Sequence, residues 1–397
     1  MFPTEINQQE KKHIAHRINT FALSLYQQLK EQDGNLFLSP FSISTCLGVA
    51  YAGVRGETER QMADVIRFPP EQKNLHELLG SLIKDMKEEK KKRGYQLIIA
   101  NALWGQKGYR FLPEFLELLR VTYGSELHEL DFEAEKEAAC QAINQWAEKH
   151  TQGKIKNIIK PSMLDSLTRL VLTNAIYFKG FWSVPFDKSE THPAPFKMIT
   201  EPSASNEIDV SMMHQTADFG YLEGEDFQAL EMLYERNELS MVIFLPRRLD
   251  GLEEFERLLT TEKFEEWLQM LQMQEVKVFV PKFKFASGFI LSKVLQSMGM
   301  TDVFNTETAD FSGMTDQEDL AISEIIHKAF VDVNEEGTEA AAVTTTAVLV
   351  AVDEGPAPPV PVFRADHPFL FLIRDIRSES ILFMGRVVDA EPLEKNV

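Results

Sequence analysis

Near the start of the chain, Ile14, Ile18, Phe21, Leu25 and Leu29 recur every three or four positions, and Gly34 follows as a stop signal. That period puts the five side chains on one face of a helix. Comparable amphipathic stretches lie at 75–87, 113–123 and 137–150, and the pattern returns over 252–271. Strand-like runs read LIIANALW (97–104), RLVLTNAIYF (169–178), LSMVIFLP (239–246), HKAFVDV (327–333), PFLFLIRD (368–375) and ILFMGRVV (381–388). The stretch EVKVFVPKFKF (275–285) alternates apolar and polar residues at its start, as a half-exposed strand does. Helices come first and strands later, without regular alternation, which favours an α+β fold over a parallel α/β one. No internal repeat or linker divides the chain, although a length of 397 residues alone suggests about two or three domains.

One segment breaks the pattern. Residues 334–362 read NEEGTEAAAVTTTAVLVAVDEGPAPPVPV, and no charge falls between Glu339 and Asp353. Threonine and valine favour extended backbone, but side chains this small do not fix a strand in a core. The segment lies between two strand candidates, so a long exposed connection within a domain is expected.

A hydrophobic content of 44% with 26% charged residues leaves material for a large core. The net charge of −20 argues against a phosphate-binding surface spread over the whole protein and favours solubility as a monomer. The local cluster Lys90-Lys91-Lys92-Arg93 has two readings: a polyanion site, or a solvated helix terminus whose cations complement the dipole. The second is the plainer one, and no nucleic-acid partner is expected. Cys46 and Cys140 make no disulfide framework and read as small buried hydrophobes. The longest apolar run at a strand, Phe369 to Ile373, is far too short to span a bilayer, so no membrane partner is expected. No signal peptide is visible at the N-terminus. The compartment stays open: cytoplasmic as the sequence is written, extracellular if a leader was trimmed.

Catalytic motifs are missing: no G-x-S-x-G elbow, no phosphate loop, no G-x-G-x-x-G and no H-E-x-x-H. His13 and His16 share a helix face without a third ligand, so no metal site is assigned. A dispersed Ser/His/Asp triad is defined by geometry rather than order, and no residue pattern supports one here.

A set of motifs in a fixed order is more informative. NLFLSPFSIS (35–44), GVRGETERQM (53–62), ANALW (100–104), INQWAEKHTQGKI (143–155) and LTNAIYFKGFW (172–182) are followed by HKAFVDVNEEGTEAAA (327–342), HPF (367–369) and LFMGRV (382–387). In these the chain resembles the serpins over nearly its whole length. The resemblance implies a single domain, 1–397, of three β-sheets and about nine helices, and it makes the odd segment (about 335–366) the exposed reactive-centre loop. It also implies a suicide substrate in place of an enzyme. A target serine protease attacks the loop and forms a covalent acyl-enzyme. The cleaved loop then inserts into the central sheet and drags the protease away. No cofactor is implied.

The residues suit that role. Carried onto this chain, the hinge comprises Glu335, Gly337, Thr338, Ala340 and Ala342, with Thr338, Ala340, Ala342, Thr344, Thr346 and Val348 facing inward on insertion. None is charged or proline, and a buried charge there would stall insertion. Prolines 356, 358, 359 and 361 all lie beyond the inserting part. Glu335 and Lys282 match the family's salt bridge at the top of the central sheet, and Trp182 the tryptophan beneath that breach. Ser42, Asn174 and His327 match its polar shutter. The usual spacing from the hinge glutamate places the scissile bond at Ala351–Val352, with Val350 and Asp353 as alternatives because the run after Val352 is longer than usual. Ala351 suits elastase-like or subtilisin-like proteases, whereas Asp353 would imply an Asp-specific cysteine protease. A non-inhibitory carrier or chaperone with the same fold is the rival reading.

Overall fold

The computed structural model describes residues 8–69, 72–87, 95–201, 204–338 and 359–390. The opening helix α1 (Gln8–Leu29) buries the stripe from Ile14 to Leu29. A short strand β1 (Leu36–Leu38) leads into α2 (Pro40–Tyr51), where Ser39 caps the helix by accepting the Ser42 N–H at 3.2 Å and Pro40 occupies the first turn. Every residue of α2 is buried, so this helix runs through the middle of the protein. Helices α3 (Gly56–Ile66) and α4 (Gln72–Lys87) follow, then β2 (Tyr95–Gln106). Next, α5 (Pro113–Leu118) widens into a π-helical turn over Leu119–Tyr123 that ends at Gly124, followed by β3 (Glu126–Leu130) and α6 (Lys136–His150).

The second half is mostly strand: β4 (Leu170–Phe181), β5 (His192–Glu201), β6 (Ala204–Glu223), β7 (Phe227–Leu233) and β8 (Leu239–Pro246). Helices α7 (Leu252–Leu258) and α8 (Thr261–Met270) precede β9 (Gln272–Pro281) and β10 (Phe283–Ile290), and α9 (Ser292–Ser297) follows. The last strands are β11 (Ile322–Asn334), the two-residue β12 (Gly337–Thr338), β13 (Val362–Arg364), β14 (Phe369–Asp375) and β15 (Ile381–Val387).

Among the described residues these strands form two hydrogen-bonded networks. One has six strands in the order β10-β11-β12-β4-β2-β3; the other has nine, with β1-β15-β14-β8-β7-β6-β9-β13 in line and β5 paired to β6. The expected α+β architecture is present. The nine-stranded network reads as two sheets sharing the 20-residue β6, whose first part pairs with β5 and whose last residues pair with β7. The main core lies between the six-stranded sheet, α1, α2 and the β14–β15–β8 strands. A smaller core, built on Trp104, Ile143, Tyr177 and Phe330, packs α6 against the other face of the six-stranded sheet.

Two strands of the six-stranded sheet are unusual. β4 and β11 run parallel and pair directly from Leu170–Ile322 to Tyr177–Phe330, while every other pairing in this sheet except β2–β3 is antiparallel. Beyond Tyr177 the two strands part. β12 lies between them, antiparallel to both, with Thr338 opposite Gly180 on one side and Val333 on the other.

Candidate functional site

The mouth of this gap is built from the first residues of the odd segment and the strands and loops they touch. Glu335 is buried, and its carboxylate meets the Lys282 ammonium at 3.0 Å. Burial on its own would raise the Glu335 carboxyl, but a backbone hydrogen bond and Lys282 outweigh it and hold the group below the usual carboxylate range. The Glu335 and Glu336 carbonyls accept the backbone N–H groups of Phe186 and Trp182 at 2.8 and 2.9 Å. The Trp182 indole donates to the Asn334 carbonyl at 3.0 Å, and Lys188 pairs with Glu336 at 2.6 Å. The chain leaving β11 is thereby pinned by both side chains and backbone.

Gly337 is held at φ 153° with the Gly180 carbonyl oxygen 1.9 Å from where a Cβ would stand. No other residue fits without moving β4. Thr338 is fully buried, and its hydroxyl hydrogen-bonds the Tyr234 hydroxyl at 2.8 Å. Tyr234 in turn stacks on Trp182, ring centroids 4.6 Å apart, and takes Phe178 edge-on at 5.1 Å. The aromatic triple forms a floor under the hinge, and Gly180 leaves room for it, since a Cβ there would meet Phe178 and Tyr234 within 2.8 Å.

A second polar cluster sits further down the gap, where β4 and β11 still touch. The Asn174 side-chain amide donates to Ser42 Oγ at 2.5 Å and also to the Asn101 side-chain oxygen. Its oxygen accepts from His327 Nδ1 at 2.5 Å, while the Ser39 backbone N–H donates to His327 Nε2 at 3.1 Å. A backbone amide only donates, so Nε2 must carry a lone pair and the proton sits on Nδ1. Burial pushes this imidazole down to about 3, leaving it neutral. Five groups from α2, β2, β4 and β11 are thus satisfied by one another across the seam.

The remaining sequence-derived positions fall elsewhere. Ala340, Ala342, Val350, Ala351, Val352, Asp353 and the Lys90–Arg93 cluster lie outside the described residues. His13 and His16 take separate partners, Arg17 and Glu265. Both cysteines are free and buried, and burial raises both thiols, Cys46 to about 12. Tyr234, Asn101, Ser39 and the Glu336–Lys188 pair were not singled out from sequence. Ser39 lies inside the quoted NLFLSPFSIS motif and Asn101 inside ANALW, whereas nothing in the local pattern marks Tyr234.

The central strands of this sheet thus hold Gly337 and Thr338, the first residues of the long connection, between β4 and β11. The family model described as Serpin (serine protease inhibitor) matches residues 16–390, and the chain belongs to this family. It is 42% identical to the leukocyte elastase inhibitor of Homo sapiens over 381 residues, covering 92% of this chain and 96% of that protein. An uncharacterized serpin-like protein of Thermococcus kodakarensis is 39% identical, with 96% and 86% covered. Among solved structures, uncleaved ovalbumin matches with a TM-score of 0.84 at 30% identity, covering 95% of this chain and 99% of that one. Human thyroxine-binding globulin complexed with thyroxine gives 0.83 at 30%, with 96% and 99% covered. The family description and the leukocyte elastase inhibitors among the relatives point to protease inhibitors, not enzymes in the usual sense, and imply a target protease as partner.

Proposed function

We propose that this protein inhibits serine proteases of elastase-like preference by acylation followed by loop insertion. The protease serine oxygen attacks the Ala351 carbonyl carbon, the peptide bond to Val352 breaks, and the proton from the serine passes to the departing Val352 amine. The freed strand then follows Thr338 into the gap between β4 and β11. The observation that carries this reading is Thr338 itself, buried between the two strands and bonded to Tyr234. Continuing its register by twos sets Ala340 opposite Phe178, Ala342 opposite Ile176 and Thr344 opposite Asn174, beside His327. Small residues would thus meet the packed stretch and a hydroxyl the polar cluster. Insertion also replaces one parallel ladder with two antiparallel ones, which are somewhat stronger per residue.

Incubation with an elastase should give a band of summed mass that survives boiling in SDS. Clean loop cleavage without that band would defeat the reading. Mass spectrometry of the cleaved chain distinguishes Ala351 from Val350, Val352 and Asp353, and trapping after Asp353 would redirect the target to an Asp-specific cysteine protease. The likeness to thyroxine-binding globulin favours a second reading, a non-inhibitory carrier. A carrier of that kind would be cleaved as an ordinary substrate and gain no thermal stability.

A further inference from the structure

Where the chain leaves β4, a recess opens between residues 182–184 and the neighbouring ends of β7 and β9, with Asp218–Gly220 of β6 as its floor. Trp182 closes one side, and Val184 and Met273 stand at the rim, 45% and 63% exposed. Gly220 pairs with Glu231 on one side and with Met273 on the other, so the three share one face of the sheet. Glu231 Oε1 accepts from Arg374 at 2.9 Å and from Ser240 Oγ at 2.7 Å, while Oε2 has no donor among the described residues. A Cβ on Gly220 would stand 3.2 Å from Oε2, so the glycine leaves that oxygen open to the recess. Two residues back along β6, Asp218 lies directly across from Glu275 of β9, on the same face. Like charges so placed repel, and neither carboxylate has a cationic partner among the described residues.

We propose that this recess binds a short aliphatic diamine in its doubly protonated form. One ammonium head sits on Glu231 Oε2 as a charge-assisted donor, the other lies between Asp218 and Glu275, and the methylenes between them cover Val184 and Met273. Charge and size both select this class. A carboxylate oxygen at the floor of an apolar recess is costly without a donor, and an ammonium supplies three. The recess measures about 40 Å³, where a single water needs about 10–15 Å³. It therefore takes an ammonium head with a methylene or two and excludes a multi-ring ligand. The floor and the Asp218–Glu275 pair are two strand residues apart, about 7 Å, the span of a four-carbon diamine. A metal ion fits less well, because the described residues hold no group of three ligating side chains close enough to share one. The site does not depend on the inhibitory reading.

The test is calorimetric titration of the full chain with butane-1,4-diamine, at about 20 mM salt so that charge is little screened. The parent should bind one equivalent with a dissociation constant below about 1 mM. Gly220→Ala, which sets a methyl against Oε2, should weaken binding about tenfold, and the double variant Asp218→Asn/Glu275→Gln about fivefold. Butylamine, with a single head, should bind the parent about as weakly as the diamine binds the double variant. Glu114→Gln, a charge change on α5 that does not line the recess, should leave binding unchanged. No heat from the parent, or equal affinity in Gly220→Ala and the parent, would overturn the proposal. Equal affinity for butylamine and the diamine would remove the second head and overturn it also. A loss with Glu114→Gln as large as with the double variant would reduce the binding to attraction by the net charge of −20, and the proposal would fall. Should Gly220→Ala lower the melting temperature, the double variant and butylamine decide the outcome alone.

Discussion

At the scale of single residues, the hinge and the seam make opposite demands on chemistry. Gly337 is required to be small: the predicted effect of Gly337→Val is to expel Thr338 from between β4 and β11, because its Cβ would overlap the Gly180 carbonyl. The expected readout is a higher stoichiometry of inhibition, and an unchanged value would show that β4 yields easily. His327 is required to be neutral. Its folded-state value is depressed to about 3, so over the interval below the ordinary histidine value of about 6.5 the unfolded chain binds more protons. The stability it contributes is therefore present above about pH 6.5 and lost as pH falls toward the folded value. His76, lowered to about 4 by burial, acts with the same sign. The informative quantity is consequently the difference between parent and His327→Gln in melting temperature across roughly pH 7 to 4, the window in which that linkage operates. The parent should show the steeper loss; parallel curves would mean that His327 does not titrate on unfolding.

At the scale of elements, what could be read in the sequence followed burial on one face. The α1 stripe was legible because only one side of α1 meets the core. By contrast, α2 has no exposed face and so no amphipathic period to detect, and only the motif carried it. The stretch 252–271 read as one helix, but Leu259 is extended and Thr260 starts a new helix by accepting the Lys263 N–H. Likewise 275–285 read as one strand, but Lys282 separates β9 from β10, and there its ammonium reaches Glu335. Strands β5 to β7 gave no sequence signal, since prolines interrupt β5 and acids and amides punctuate β6. The site was legible where a motif held it, as with Ser42, Asn174 and His327, and illegible where topology did, as with Tyr234. One element invites a test of its own. Helix α6 is fastened to the sheet through Trp146, which meets Trp104 edge-on at 5.5 Å. Trp146→Ala should lower unfolding stability by about 3 kcal/mol in denaturant titration, and a loss below about 1 kcal/mol would show that α6 is held mainly by its other contacts.

At the scale of the whole molecule, the uncleaved chain is expected to sit above its own most stable arrangement. The β4–β11 seam is a parallel ladder from Leu170–Ile322 to Tyr177–Phe330, and among the described residues the connection enters beside it with Gly337 and Thr338. Cleavage frees one end of that connection. Filling the seam with an antiparallel strand should raise the melting temperature by about 10 °C or more, given roughly 2 °C per kcal/mol for a large domain. Scanning calorimetry before and after loop cleavage measures this directly, and coincident transitions would contradict it.

The stack of Trp182 on Tyr234 has a spectroscopic consequence. The indole lies over the ring whose hydroxyl touches Thr338, so any movement of the hinge alters the electronic surroundings of a fluorophore. The chain has four tryptophans. Replacing Trp104, Trp146 and Trp267 with phenylalanine would leave Trp182 as an intrinsic optical gauge of gap occupancy, following strand uptake in real time without any attached dye.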